Sequence, residues 1–155
     1  MIIGLDFDNC IVNYQCAIEK LIKDEKFFCK NKLTGLNKES LKEIIIKTYN
    51  EEKWTLIQGK LYGKYIKYAK PYPYVLETIK KLLKNNVIYI ISHKTKFPYL
   101  GKKVNLHLAA RKWIYKNIIA KDNSINFSKK DIFFEKSLKE KISRIKKLKC
   151  NIYVD

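Results

Sequence analysis

The chain opens on Ile2-Ile3-Gly4-Leu5, an apolar run closed by Asp6 and Asp8. Such a run reads as a buried strand that delivers both acids at its C-terminal end, the end at which open α/β sheets bind ligands. From residue 14 to about residue 70 apolar positions recur at helical spacing. They predict helices over residues 16–28, 38–49 and 54–68, with Thr34-Gly35 punctuating the first gap. No strand pattern interrupts this stretch, so it reads as an insertion of helices over the sheet. Trp54, Tyr62, Tyr65 and Tyr68 recur within it at helical spacing and are expected mainly to pack, with Tyr62 or Lys60 as candidates for lining a substrate entrance. Gly59 and Gly63 interrupt the same run and point to a hinge or a close approach to the core.

Beyond the insertion, Pro71-Tyr72-Pro73 starts a helix that runs to about Leu83. Asn85-Asn86 then turns the chain into a second apolar strand, residues 87–92, ending in Ser92. Strand, helix, strand in that order implies a parallel pair with a right-handed crossover. Residues 105–119 form an amphipathic pattern with Leu106, Ala109, Ala110, Trp113 and Ile114 as core positions. A short strand at 132–134, a Lys-rich helix at 137–148 and a last strand at 151–155 ending in Asp155 complete the order. The prediction is an α/β, Rossmann-like three-layer fold with a central parallel sheet whose first strand is central. Residues 1–13 and 71–155 form the core and residues 14–70 the insertion. Asp6 with Asp8, Ser92 and Asp155 then end three strands at one crevice.

At 155 residues and 46% hydrophobic content the chain has material for one domain with a real core. Cys10, Cys16, Cys29 and Cys150 are irregularly spaced and nothing at the N-terminus resembles a secretory signal, so they read as reduced thiols of a cytoplasmic protein. The absence of a Cys-x-x-Cys step argues against a structural zinc site. The longest apolar stretch, residues 87–91, is too short to span a bilayer. The formal charge is +18, from 33 Lys+Arg against 15 Asp+Glu. Nearly all of it is Lys spread along the chain; only Arg111 and Arg144 offer the bidentate fork that suits specific phosphate or guanine recognition. It reads as a compositional bias, with nucleic acid or an acidic protein as the alternative partner. A basic field helps a phosphorylated substrate in either case.

Asp6-Phe7-Asp8 carries the clearest chemistry. Alternate side chains of a strand share a face, and a turn after Phe7 lets both acids converge on one ligand. Two carboxylates held together repel unless a hard cation such as Mg²⁺ takes their oxygens, usually along with substrate phosphate. Asp6-Phe-Asp-Asn-Cys-Ile after the first strand, Ile90-Ile-Ser92 after the second, a following Lys, and Ile152-Tyr-Val-Asp155 on a late strand resemble the four ordered motifs of the haloacid dehalogenase superfamily of phosphotransferases. The insertion at 14–70 is similar to the helical cap that many members place after the first strand.

The resemblance implies a Mg²⁺-dependent phosphatase acting on a small phosphorylated substrate. Asp6 would be the nucleophile that forms an aspartyl-phosphate, and Asp8 the general acid and base, whose backbone carbonyl also ligates the metal. Ser92 would hydrogen-bond a phosphoryl oxygen, the alternative being a Ser that merely caps the next turn. Lys141, with Lys136 as runner-up, would neutralise charge between Asp6 and the phosphate, and Asp155 would complete the Mg²⁺ site. His93 and Lys94 are expected to be solvated and stay outside this set. Cys10 replaces the family's usual Thr or Val and is expected to be an unactivated thiol. Relatives carry a second acid directly after the position of Asp155. The sequence ends there, so a fragment is expected, with the terminal carboxylate as the other possible ligand. The rival class is a non-catalytic basic module of the same fold; a phosphatase of nucleotides or nucleic-acid ends would combine both readings.

Overall fold

The computed structural model describes residues 1–25 and 35–155. Residues 26–34 hold Cys29, Thr34 and the end of the helix expected at 16–28, which lie outside the described residues. The elements in order are β1 (Ile2–Leu5), β2 (Val12–Asn13), α1 (Gln15–Glu25), α2 (Lys38–Thr48), α3 (Glu51–Lys60), β3 (Lys70–Pro71), α4 (Val75–Leu83), β4 (Val87–His93), α5 (Leu106–Asn117), β5 (Ile132–Glu135), α6 (Leu138–Lys147) and β6 (Ile152–Val154). Four strands form a parallel sheet in the order β5-β4-β1-β6, so β1 lies inside it with β4 and β6 as neighbours. The α/β class, the parallel sheet and the interior first strand agree with the hydrophobic pattern. No described helix is long and apolar enough to cross a membrane.

The helices start where side chains satisfy the free N–H groups of a first turn. Asn37, Asn50, Asn105 and Ser137 each accept from a backbone N–H three residues on. The Asn50 cap explains why α3 begins at Glu51, three residues before the expected start. The chain does not continue as one regular helix to residue 68. Leu61–Tyr65 is a π-helical turn and Ile66–Tyr68 a 3₁₀ turn, in a segment weakened by Gly59 and Gly63. Of the aromatics there, Trp54 and Tyr65 are buried and Tyr62 is half-buried, but Tyr68 is exposed, contrary to its expected packing role. The helix expected from Pro71 begins only at Val75, because Lys70–Pro71 pairs antiparallel with Val12–Asn13. That ribbon joins the points where the chain leaves the sheet and returns to it.

Alternation along the strands builds two unlike faces. Ile3, Leu5, Ile88, Ile90, Ile132 and Phe134 join one buried cluster with α1, α3, α5 and Phe7. Phe7 is fully buried and meets Trp113 and Phe134 edge to face, with centroids 5.6 and 5.7 Å away. The Trp113 Nε1–H donates to the Ala69 carbonyl at 2.9 Å, which gives that buried polar atom a partner. The expected core positions of α5 are buried except Ala109, which is half-buried. The other face carries Tyr89, Ile91, Phe133 and Tyr153, with α6 across it. Arg144 stacks on Phe133 and Lys141 lies over Tyr153, 4.6 and 5.0 Å from the ring centroids.

Gly4 is what lets the Tyr153 ring lie across β1. A Cβ at residue 4 would stand 2.7 Å from Tyr153 Cδ2 and 3.3 Å from Ile91 Cδ1. Gly4→Ala is therefore expected to destabilise the fold by about 1–3 kcal/mol through overpacking. The check is a lowered urea midpoint with unchanged slope; an unaltered midpoint would show that the ring can move aside.

Candidate active site

The first strand ends at Leu5, and the Asp6 N–H still donates to the Val154 carbonyl at 2.8 Å, which ties Asp6 to β6. The chain then turns back on itself. Ile11 and Val12 N–H groups both donate to the Phe7 carbonyl, and Asn9 takes a left-handed conformation at φ 63°, one that Asn tolerates better than most residues. This turn follows Phe7, as expected, but it sends the two acids to different partners.

Asp6 is buried, and its Oδ1 lies 3.1 Å from Lys141 Nζ. The same ammonium is 3.0 Å from Asp155 Oδ2, so one lysine bridges the acids that end β1 and follow β6. Ser92, buried at the end of β4, lies beside the Asp6 carboxyl and favours its charged form. Tyr153 Oη lies 2.7 Å from the Ile91 carbonyl and 3.2 Å from Asp6 Oδ1. Burial pushes the Asp6 carboxyl above the usual range, opposed by the Lys141 charge and by Ser92. Burial works against the Lys141 ammonium, but Asp155 and Asp6 more than offset it and raise its pKa. Burial and both carboxylates raise Tyr153 well above an ordinary phenol, so it stays a neutral donor.

Asp8 has its own enclosure. Tyr14, a buried residue, donates its hydroxyl to Asp8 Oδ1, and Lys94 Nζ stands 2.7 Å from Oδ2. Lys94 is 3% exposed. Its ammonium sits 4.1 Å from the centroid of Tyr62 and 5.5 Å from that of Phe7, where aromatic faces stabilise a cation. The Lys94 backbone is pinned at both ends. Its N–H donates to the Glu135 carbonyl at 2.8 Å, and its carbonyl lies 2.7 Å from His107 Nε2. Burial lowers the His107 pKa, which suits a neutral ring donating from that nitrogen.

Asp6, Ser92, Lys141 and Asp155 thus come together, and Asp8 stands beside them with Lys94 in place of a shared partner. Lys141 is the buried residue of α6, whereas Lys136 is exposed, its backbone N–H bonded to Glu140 and its carbonyl to His93 Nε2. His93 is exposed as expected. Lys94 is the correction: expected in solvent, it is one of the most buried charges in the protein. Its sequence signal was its place two residues after Ser92 at a strand end, which a chain so rich in lysine obscures. Cys10 lies 3.8 Å from the Val154 carbonyl, and burial with the nearby Asp6 charge raises its thiol pKa, consistent with an unactivated side chain. Lys60 pairs with Glu25, while Tyr62 lines a cavity next to Asp8.

The charge count bears on a metal. Asp6 and Asp155 with Lys141 sum to −1, and Asp8 with Lys94 to zero, so the cluster is not neutralised by its own lysines. A hard divalent cation takes oxygen ligands, and the Asp6 and Asp155 carboxylates with the Asp8 carbonyl are a donor set of that chemistry. Among the described residues no three His, Cys, Asp or Glu side chains group to hold a metal. No protein-family model and no curated protein sequence matches this chain.

The raised pKa of Asp6 has a consequence for stability. The folded state binds the Asp6 proton more tightly than the unfolded chain does. Ionisation therefore costs stability as pH rises from the ordinary value of 3.8 through the higher folded value. Asp6→Asn is expected to gain stability over the parent across that window and to keep the gain at pH 7. Urea midpoints at pH 4 and pH 8 check this; a gain that shrinks towards pH 8 would contradict it.

Proposed function

We propose that the protein is a Mg²⁺-dependent phosphomonoester hydrolase of the haloacid dehalogenase type, working through an aspartyl-phosphate on Asp6. The observation that carries this reading is the Lys141 ammonium bridging Asp6 and Asp155 while Ser92 lies beside Asp6, at the C-terminal tips of adjacent parallel strands. The helices between Gln15 and Tyr68 then form the cap, tied at its base by β2 and β3.

An Asp6 carboxylate oxygen attacks phosphorus, the bond to the leaving oxygen breaks, and Asp8 relays to that oxygen the proton that the phosphate monoanion brings in. Water then attacks the acyl phosphate, Asp8 takes its proton, and Asp6 is released as carboxylate. Lys141 holds Asp6 against the charge of the incoming phosphate, and Ser92 turns its hydroxyl to a phosphoryl oxygen. Tyr14 and Lys94 fix the Asp8 carboxyl from both oxygens. Mg²⁺, held by Asp6, Asp155 and the Asp8 carbonyl, would supply the positive charge that the lysines leave lacking.

Several variants test the assignment together. Hydrolysis of an aryl phosphate is expected to need Mg²⁺, to stop with EDTA, and to fall to background in Asp6→Asn. Ser92→Ala is expected to lower kcat about 10²–10³-fold as a lost phosphoryl donor. Asp8→Asn is expected to cost about 10²–10⁴-fold on alkyl phosphates, and less on an aryl phosphate whose leaving group needs no proton. Turnover indifferent to Asp6→Asn would sink the reading. Salt-sensitive nucleic-acid binding with no turnover would favour a non-catalytic basic module instead.

A further inference from the structure

A cavity of about 200 Å³ opens on the Asp8 side of the site, between α3 with the turn after it and the loop that follows β4. Thr55, Gln58 and Tyr62 form one wall, and Lys94 and Thr95 the other. The wall closes because Gly59 has no side chain: a Cβ there would stand 2.8 Å from Pro98 Cβ. Gln58 lies next to Tyr62, and Tyr14 packs against the Tyr62 ring at 5.4 Å between centroids.

We propose that this cavity holds the leaving group of the substrate and takes a small polyhydroxylated alcohol, so that the substrates are sugar or polyol monophosphates and not phosphorylated nucleic-acid ends. This inference rests on the phosphatase reading above.

Three observations carry it. The cavity adjoins Asp8, the residue that would hand a proton to the leaving oxygen, on the side away from Lys141. Its volume is below the roughly 300–1,000 Å³ typical of pockets for drug-sized ligands. A short carbon chain or single sugar ring fits, whereas a base with its sugar and the next nucleotide does not. The Tyr62 ring is the aromatic surface on which a base would stack, and it already engages the Lys94 ammonium and Tyr14.

The polar lining favours hydroxyls. Lys94 puts a positive charge at the cavity wall, its Nζ 2.7 Å from Asp8 Oδ2, so the lining is polar on the side next to Asp8. Thr55 and Gln58 line the same cavity; the Thr55 hydroxyl donates to the Glu51 carbonyl at 3.0 Å and keeps its lone pairs to accept from a ligand hydroxyl. A site built to hydrogen-bond a substrate hydroxyl discriminates strongly against a substrate without one.

The test compares kcat/KM with Mg²⁺ on glycerol, pentose and hexose monophosphates, an aryl phosphate, a mononucleotide, and an oligonucleotide phosphorylated at either end. Polyol monophosphates are expected to exceed the oligonucleotides by at least about tenfold, and Gln58→Leu and Thr55→Val to raise KM for the polyol phosphates more than for the aryl phosphate. Calorimetry on Asp6→Asn, which cannot turn over, is expected to show the same order of binding. Oligonucleotide ends hydrolysed as efficiently as polyol phosphates, or equal KM effects on both substrate types, would overturn the assignment of the cavity while leaving a phosphatase. Turnover of none of these esters would overturn the phosphatase reading and this inference with it.

Discussion

A single buried ammonium holds the C-terminal edge of the sheet together. Lys141 reaches from the first turns of α6 to Asp6 after β1 and to Asp155 after β6. Removing that ammonium leaves the buried Asp6 carboxylate without its counter-charge and facing a second acid. This contact is central to the position of α6, whose buried residue is Lys141 while Leu138 and Ile142 are exposed. Ser137 caps the helix one turn before Lys141, and Arg144 one turn later lies on Phe133 and binds Glu135 at 2.7 Å. Gly4 completes the set by leaving room for the Tyr153 ring, whose hydroxyl ends beside Asp6.

A second charge pair links the same edge to the helical segment. Asp8 is held by Lys94 from the loop after β4 and by Tyr14 at the start of the helical stretch, and Tyr62 from the π-helical turn covers the lysine. Any movement of the helices against the sheet must therefore change the surroundings of Asp8. Movement of a helical lid that excludes water during chemistry and reopens afterwards is a general way for an active site to work. The irregular turn at 61–65 lies where π-helical bulges are often functional.

The sheet was legible because its strands are short apolar runs ended by acids or Ser, a pattern that leaves little choice of location for Asp6, Ser92 and Asp155. Lys141, preferred over Lys136 because of the resemblance, is the lysine that the fold brings to Asp6 and Asp155. The burial of Lys94 was not. Strand-end lysines are mostly solvated, and only the folded chain brings Phe7, Tyr62 and Asp8 around this one. The ends of the expected 54–68 helix were misplaced for local reasons: Asn50 supplies an early cap, and Gly59 and Gly63 serve tertiary contacts at a cost in helix propensity. The overall charge of +18 carried no information about these positions, since the site uses two lysines placed by packing and not by composition.

The most direct measurement is the structure of the protein with Mg²⁺ and beryllium fluoride. The account predicts a trifluoroberyllate group on a carboxylate oxygen of Asp6, with the Ser92 hydroxyl and Lys141 ammonium on its fluorines and the cation bound by Asp6, Asp155 and the Asp8 carbonyl. An unmodified Asp6 under saturating fluoride, or a cation bound elsewhere with Asp155 turned away, would contradict it.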